Sequence, residues 1–179
     1  MAQAAAPSIY PQHDVCRRLL TSFGGVTAGQ VWVDYYLWEL VLNEHPHLEG
    51  IIEIGTWEGG FSRYLEAQAR CRCMSFCTFD VIQPAKPPLY FRKADVFANP
   101  DEVINLLDVW APCILLCDGG NKPREMETFA PHLSADSVLI VHDWLTEVQP
   151  EEVPPMLCPV YEDVCDEIGS MSRVFKPKS

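Results

Sequence analysis

The sequence predicts an α/β fold: a three-layer sandwich around a mainly parallel sheet, reduced at its C-terminus. Two observations lead there. Short apolar runs alternate with amphipathic stretches along most of the chain, which calls for parallel strands joined by right-handed helical crossovers. The first of those runs, Ile51–Ile54, reads as a strand covered on both faces. In such sheets ligands gather outside the carboxyl ends of the strands. Polar residues fall at those ends five times, at Glu53, Asp80, Asp95, Asp118 and His142-Asp143.

The elements follow in order. Residues 1–12 read as a mobile tail, and 13–46 as N-terminal helices. Asp14–Phe23 forms the first, stopped by Gly24-Gly25, and Thr27 caps a second from Gly29 to Glu44. Val31, Tyr35, Trp38 and Leu42 give that helix one apolar face, and Pro46 stops it. The core, 50–145, holds strands at Ile51–Ile54, Ser75–Val81, Tyr90–Ala94, Cys113–Cys117 and Ser137–Val141. Helices Phe61–Ala69, Pro100–Asp108 and Pro123–Ala130 separate them, the last with proline suitably placed in its first turn. A helix at Val160–Ile168 and one short strand at Ser172–Phe175 complete residues 146–179, so the whole reads as a single Rossmann-like domain.

Composition narrows the function. The 179 residues are enough for one domain with a full core, and the net charge of −12 argues against nucleic acid or an anionic membrane as partner. No apolar run is long enough to span a bilayer, and the N-terminus lacks the basic and apolar regions of a signal peptide. Eight cysteines, mostly inside apolar segments, read as reduced and buried thiols of a cytoplasmic protein. Cys71, Cys73 and Cys77 lack a fourth ligand at zinc-finger spacing.

The first strand opens into a glycine-rich turn, Glu53-x-Gly55-x3-Gly59, where the lack of Cβ atoms lets the backbone approach a ligand closely. Asp80 follows Glu53 by 27 residues. An ionised carboxylate there can accept from both hydroxyls of a ribose, and a turn cap is the alternative. Asp95 could accept from an exocyclic amine with Val96 or Phe97 against the ring, or simply be a turn residue. Trp57 could close a pocket or anchor an interface.

Together these positions resemble class I S-adenosylmethionine-dependent methyltransferases over about residues 30–145. The later stretch, Cys117-Asp118-Gly-Gly-Asn-Lys-Pro-Arg-Glu125 followed by Ser137-Val-Leu-Ile-Val-His142-Asp143, resembles the metal-dependent O-methyltransferases and the cephalosporin-hydroxylase-like group. The resemblance implies S-adenosylmethionine as cofactor, with Glu53, Gly55, Thr56, Trp57 and Gly59 toward its amino-acid end. Asp80, Asp95 and Asp118 complete the cofactor set. It also implies a divalent metal (Mg, Mn or Zn) on Asp118, His142 and Asp143, and a small-molecule acceptor. The family pair after the fifth strand is usually carboxylate followed by carboxylate or amide, whereas this chain has histidine first. An imidazole favours manganese, iron or zinc over magnesium. His142 is alternatively a metal-free general base or a structural residue, and Lys122 a base or positioning group.

Two other readings stand beside methyl transfer. A non-catalytic protein could keep the fold and use Trp32, Tyr36 or Trp57 as a partner surface. An NAD-dependent oxidoreductase could use Asp80 for its ribose, although the glycine spacing is wrong and no Tyr-x-x-x-Lys occurs. A homodimer is compatible with any of these.

Overall fold

The computed structural model describes residues 21–178. A seven-stranded sheet carries the molecule, in the order β5-β4-β3-β6-β7-β9-β8. β3 (Gly50–Ile54), β4 (Ser75–Asp80), β5 (Phe91–Lys93), β6 (Cys113–Cys117) and β7 (Val138–Val141) run parallel. β3 lies inside the sheet between β4 and β6, as its continuous burial requires. Its adjacent isoleucines serve opposite faces. Ile51 packs with Leu37, Trp38, Val41 and Leu42 of α1 (Trp32–Glu44), Leu65 of α2 (Gly60–Cys71) and Cys165 of α5 (Glu162–Ile168). Ile52 packs with Val103 and Leu107 of α3 (Pro100–Val109) and Met126 and Phe129 of α4 (Lys122–Phe129). The result is the expected three-layer sandwich.

Register aligns the strand ends. Ile54 pairs with Phe79 on one side and Cys117 on the other, and Cys117 pairs with Val141. The next residues, Gly55, Asp80, Asp118 and His142, therefore emerge in one row. Backbone bonds continue the ladder into that row, from Gly55 N to Phe79 O (2.8 Å), Asp118 N to Ile54 O (2.9 Å) and His142 N to Cys117 O (3.1 Å).

The two ends of the chain differ from expectation. Residues 21–23 are a strand, β1 (Thr21–Phe23), paired antiparallel with β2 (Val26–Ala28), and not the end of a helix. Gly24 and Gly25 both have positive φ (58° and 75°), the conformation of a two-residue hairpin turn, so the glycines join two strands. Residues 14–20 of the expected helix, and Cys16, lie outside the described residues. Thr27 pairs with Ser22 across the hairpin and caps nothing; α1 begins at Trp32 after an extended Val31.

At the other end the sheet is not reduced to one strand. β8 (Leu157–Val160) pairs antiparallel with β9 (Arg173–Pro177), which pairs antiparallel with β7. A proline inside β8 hides it in the sequence, but β8 is the outermost strand, where proline is tolerated. Val160 belongs to β8 and not to α5. Of the seven described cysteines, all free, Cys71, Cys73 and Cys158 are exposed, against the expectation of buried thiols. No described helix is long and apolar enough to cross a membrane.

Candidate active site at the carboxyl edge of the sheet

All eleven residues singled out in the sequence line one cavity of about 770 Å³ at the carboxyl edge of the parallel strands. Gln30, Glu125 and Glu147 join them there.

The glycine turn forms one wall. Gly55 has φ of 99°, and a Cβ there would overlap the backbone of Asp118 and Gly119. Likewise a Cβ at Gly60 would overlap the carbonyl oxygens of Thr27 and Val26. Gly55 thus admits backbone where the sequence pattern pointed to a ligand, and Gly60 also admits backbone. No side chain caps the N-terminus of α2, which leaves its first N–H groups beside the cavity wall formed by Gly59 and Gly60. Trp57, with φ of 48°, is 53% exposed at the mouth and rests its ring on Gly29.

Asp80 holds this turn in place. Its Oδ2 accepts from the backbone N–H of Thr56 (3.0 Å) and Trp57 (2.9 Å), and its Oδ1 from Ile82 N–H (2.9 Å). The turn-capping alternative is therefore realised. Asp95 likewise caps a turn, accepting from Phe97 N–H (2.9 Å), while Val96 is buried beside it. The Arg124 guanidinium lies 4.0 Å from the centre of the Phe97 ring and covers that face.

Glu53 is buried, and one carboxylate oxygen, Oε2, has no hydrogen-bond partner. Burial pushes its carboxyl up to about 8, against the lowering influence of the Ser62 and Thr78 hydroxyls. A carboxylate left this way is costly unless a donor completes it. The orphan oxygen suits a cationic amine.

Beyond the turn, along the same row of strand ends, ligand atoms of Asp118, His142 and Asp143 all lie within 4.8 Å of one another. His142 Nδ1 is 3.1 Å from Asp118 Oδ1 and 3.4 Å from Asp143 Oδ1. Asp143, two residues after β7, has φ of 58°, and its carbonyl accepts from Thr146 and Glu147 N–H (3.1 and 2.8 Å). Lys122 Nζ donates to Glu147 Oε2 (2.7 Å) and Gly119 O (3.0 Å) and lies 3.0 Å from Asp143 Oδ2. Gln30 Nε2 donates to Asp118 Oδ2 (2.9 Å).

The charges of this wall are strongly coupled. Burial would lower the His142 pKa, but Asp118 above all, with Asp143 and Asp34, raises it well above the usual range. Burial also opposes the charge on Lys122, yet Glu147, Asp118 and Asp143 raise its pKa above the ordinary lysine range. Asp143 ends well below the usual carboxylate range because His142 and Lys122 outweigh its burial. Held by Glu147, Gly119 and Asp143, Lys122 is set where a positioning group would be.

Sequence reasoning missed Gln30, Asp34, Glu125 and Glu147. Asp34 carried a signal: it is a charged residue on the apolar face of α1, three residues before Leu37 and seven before Val41.

An open, mainly parallel sheet with a glycine turn after β3 and a polar rim at the adjoining strand ends is a Rossmann-like fold. Among solved structures it is similar to one described as "cmcI-N160 SAH", with a TM-score of 0.65 and 12% identity, over 87% of this chain and 81% of that one. A weaker likeness, at a TM-score of 0.42 and 16% identity, is to "MycE Methyltransferase from the Mycinamycin Biosynthetic Pathway in Complex with Mg, SAH, and Mycinamycin VI". It covers 62% of this chain and 33% of that one. No protein-family model matches the sequence, and no curated protein matches it.

Proposed function

We propose that the protein transfers the methyl group of S-adenosylmethionine to an oxygen of a small molecule, assisted by a divalent cation. The observation that carries this reading is the convergence of the glycine turn and the Asp118–His142–Asp143 cluster on one cavity. The fold shared with the SAH-bound structure supports it.

The residues divide the work. The orphan oxygen of Glu53 receives the amino group of the cofactor, and the uncapped N-terminus of α2 suits its carboxylate. Asp80 acts first on the protein itself, fixing Thr56 and Trp57; its carboxylate has about four acceptor positions, three of them filled, which leaves one for a ribose hydroxyl. Val96 offers the adenine an apolar contact, with Asp95 at its edge.

Asp118, His142 and Asp143 would hold the cation, and their mixed oxygen and nitrogen set favours manganese or zinc over magnesium. When bound, a divalent cation favours the deprotonated form of an acceptor hydroxyl and fixes its position. Three carboxylates, those of Asp118, Asp143 and Glu147, surround one lysine, an excess of negative charge that a cation would neutralise. Lys122 keeps Asp143 and Glu147 in place. The remaining task is alignment of oxygen, methyl and sulfur.

The test is methyl transfer from labelled S-adenosylmethionine to a panel of phenols, catechols and alcohols, in chelator and after returning each metal. Transfer that appears with manganese or zinc and disappears in chelator is the expected result. Full activity in chelator removes the cation from the reaction. Binding of NAD in place of S-adenosylmethionine in a calorimetric titration would remove methyl transfer altogether.

A further inference from the structure

We propose that Asp34, on the N-terminal helix α1, orients His142 and selects the nitrogen that it offers to a metal. The inference rests on the divalent-site reading above and deepens it. α1 buries Leu37, Trp38, Val41 and Leu42 against the sheet, and Asp34 interrupts that apolar face while itself fully buried. A carboxylate is retained in such a place only at considerable cost, which specific partners must offset.

One partner is plain: Ser170 Oγ, from the loop before β9, donates to Asp34 Oδ1 (2.5 Å). The other oxygen, Oδ2, has no hydrogen-bond partner and faces His142 Nε2 at 3.6 Å. His142 Nε2 is itself buried and without a partner. The two orphan atoms are each other's complement, since a carboxylate only accepts and a neutral imidazole carries one N–H. A proton placed on Nε2 toward Asp34 leaves the Nδ1 lone pair on the side of Asp118 and Asp143, at 3.1 and 3.4 Å from their oxygens.

That is the carboxylate–histidine arrangement by which proteins fix the tautomer and ring orientation of a metal-binding histidine. It also explains what histidine requires at a position where a carboxylate would serve without help: a carboxylate has no tautomer to select. Asp34 does not line the cavity, so it is a positioning residue and not a catalytic one.

Long-range proton–nitrogen NMR of the zinc-loaded, nitrogen-15-labelled protein reads the tautomer directly. We expect His142 to be ligated through Nδ1 and protonated at Nε2. In Asp34→Asn, manganese affinity measured by calorimetry should fall about 10- to 100-fold, while SAH binding measured without metal stays at the wild-type level. Ligation of wild-type His142 through Nε2 would overturn the proposal whether or not the variant folds. So would an Asp34→Asn protein that binds manganese as tightly as wild type. A wild-type protein that binds neither zinc nor manganese would instead overturn the divalent-site reading, and this proposal with it.

Discussion

Glu53 couples the fold to pH. Its folded-state pKa of about 8 lies above the unfolded value of 4.5, so the neutral carboxyl stabilises the ligand-free fold. That contribution is fully present below pH 4.5 and is lost as pH rises through 8. Glu53→Gln should therefore flatten the loss of stability across this interval by a few kcal/mol at most (about 1.4 kcal/mol per pH unit), while weakening S-adenosylmethionine binding. Thermal unfolding at several pH values checks it; a variant whose pH profile matches wild type refutes the assignment. At Asp80 the prediction concerns binding. Asp80→Ala releases the N–H groups of Thr56 and Trp57 and should weaken S-adenosylmethionine by roughly 10- to 150-fold, as loss of a charged hydrogen-bond acceptor typically does. Unchanged affinity in calorimetry would contradict it. Most of the candidate residues were legible because they end or follow an apolar run that had to be a strand. Their partners were less so: Gln30 and Glu147 reach the site from segments distant in sequence, and nothing local marks them.

At the scale of elements, the parallel strands and their helices were readable to within a residue or two because apolar runs and proline or glycine stops mark both ends. The hairpin β1–β2 was not, since Gly24-Gly25 ends a helix as readily as it turns a hairpin, and only cross-strand pairing decides. β8 was obscured by its proline and its exposed middle. The hairpin matters because Gly60 admits it against α2. Gly60→Ala would drive a Cβ into the Thr27 and Val26 carbonyls, which belong to backbone and yield little. We expect a loss of about 1–3 kcal/mol with faster amide exchange in residues 21–28. Gly120→Ala, where a Cβ meets nothing within 4 Å, should change stability by no more than ~0.5 kcal/mol. Denaturant titration of the two variants distinguishes them, and equal stabilities would refute the contact.

At the scale of the whole molecule, the sheet does one thing that no single element does. It brings a glycine turn suited to a cationic cofactor and a carboxylate–imidazole cluster suited to a cation into the lining of one cavity. The adjacency of methyl donor and metal is the central claim, and it can be measured without knowing the acceptor. S-adenosylmethionine carrying a carbon-13 methyl group, bound to the protein, is observed by NMR while manganese is added. Paramagnetic manganese held at Asp118, His142 and Asp143 should strongly broaden the methyl resonance, and chelator or the Asp118→Ala substitution should restore the narrow line. A bound methyl resonance that manganese leaves unchanged, at concentrations that saturate the protein, would contradict the account.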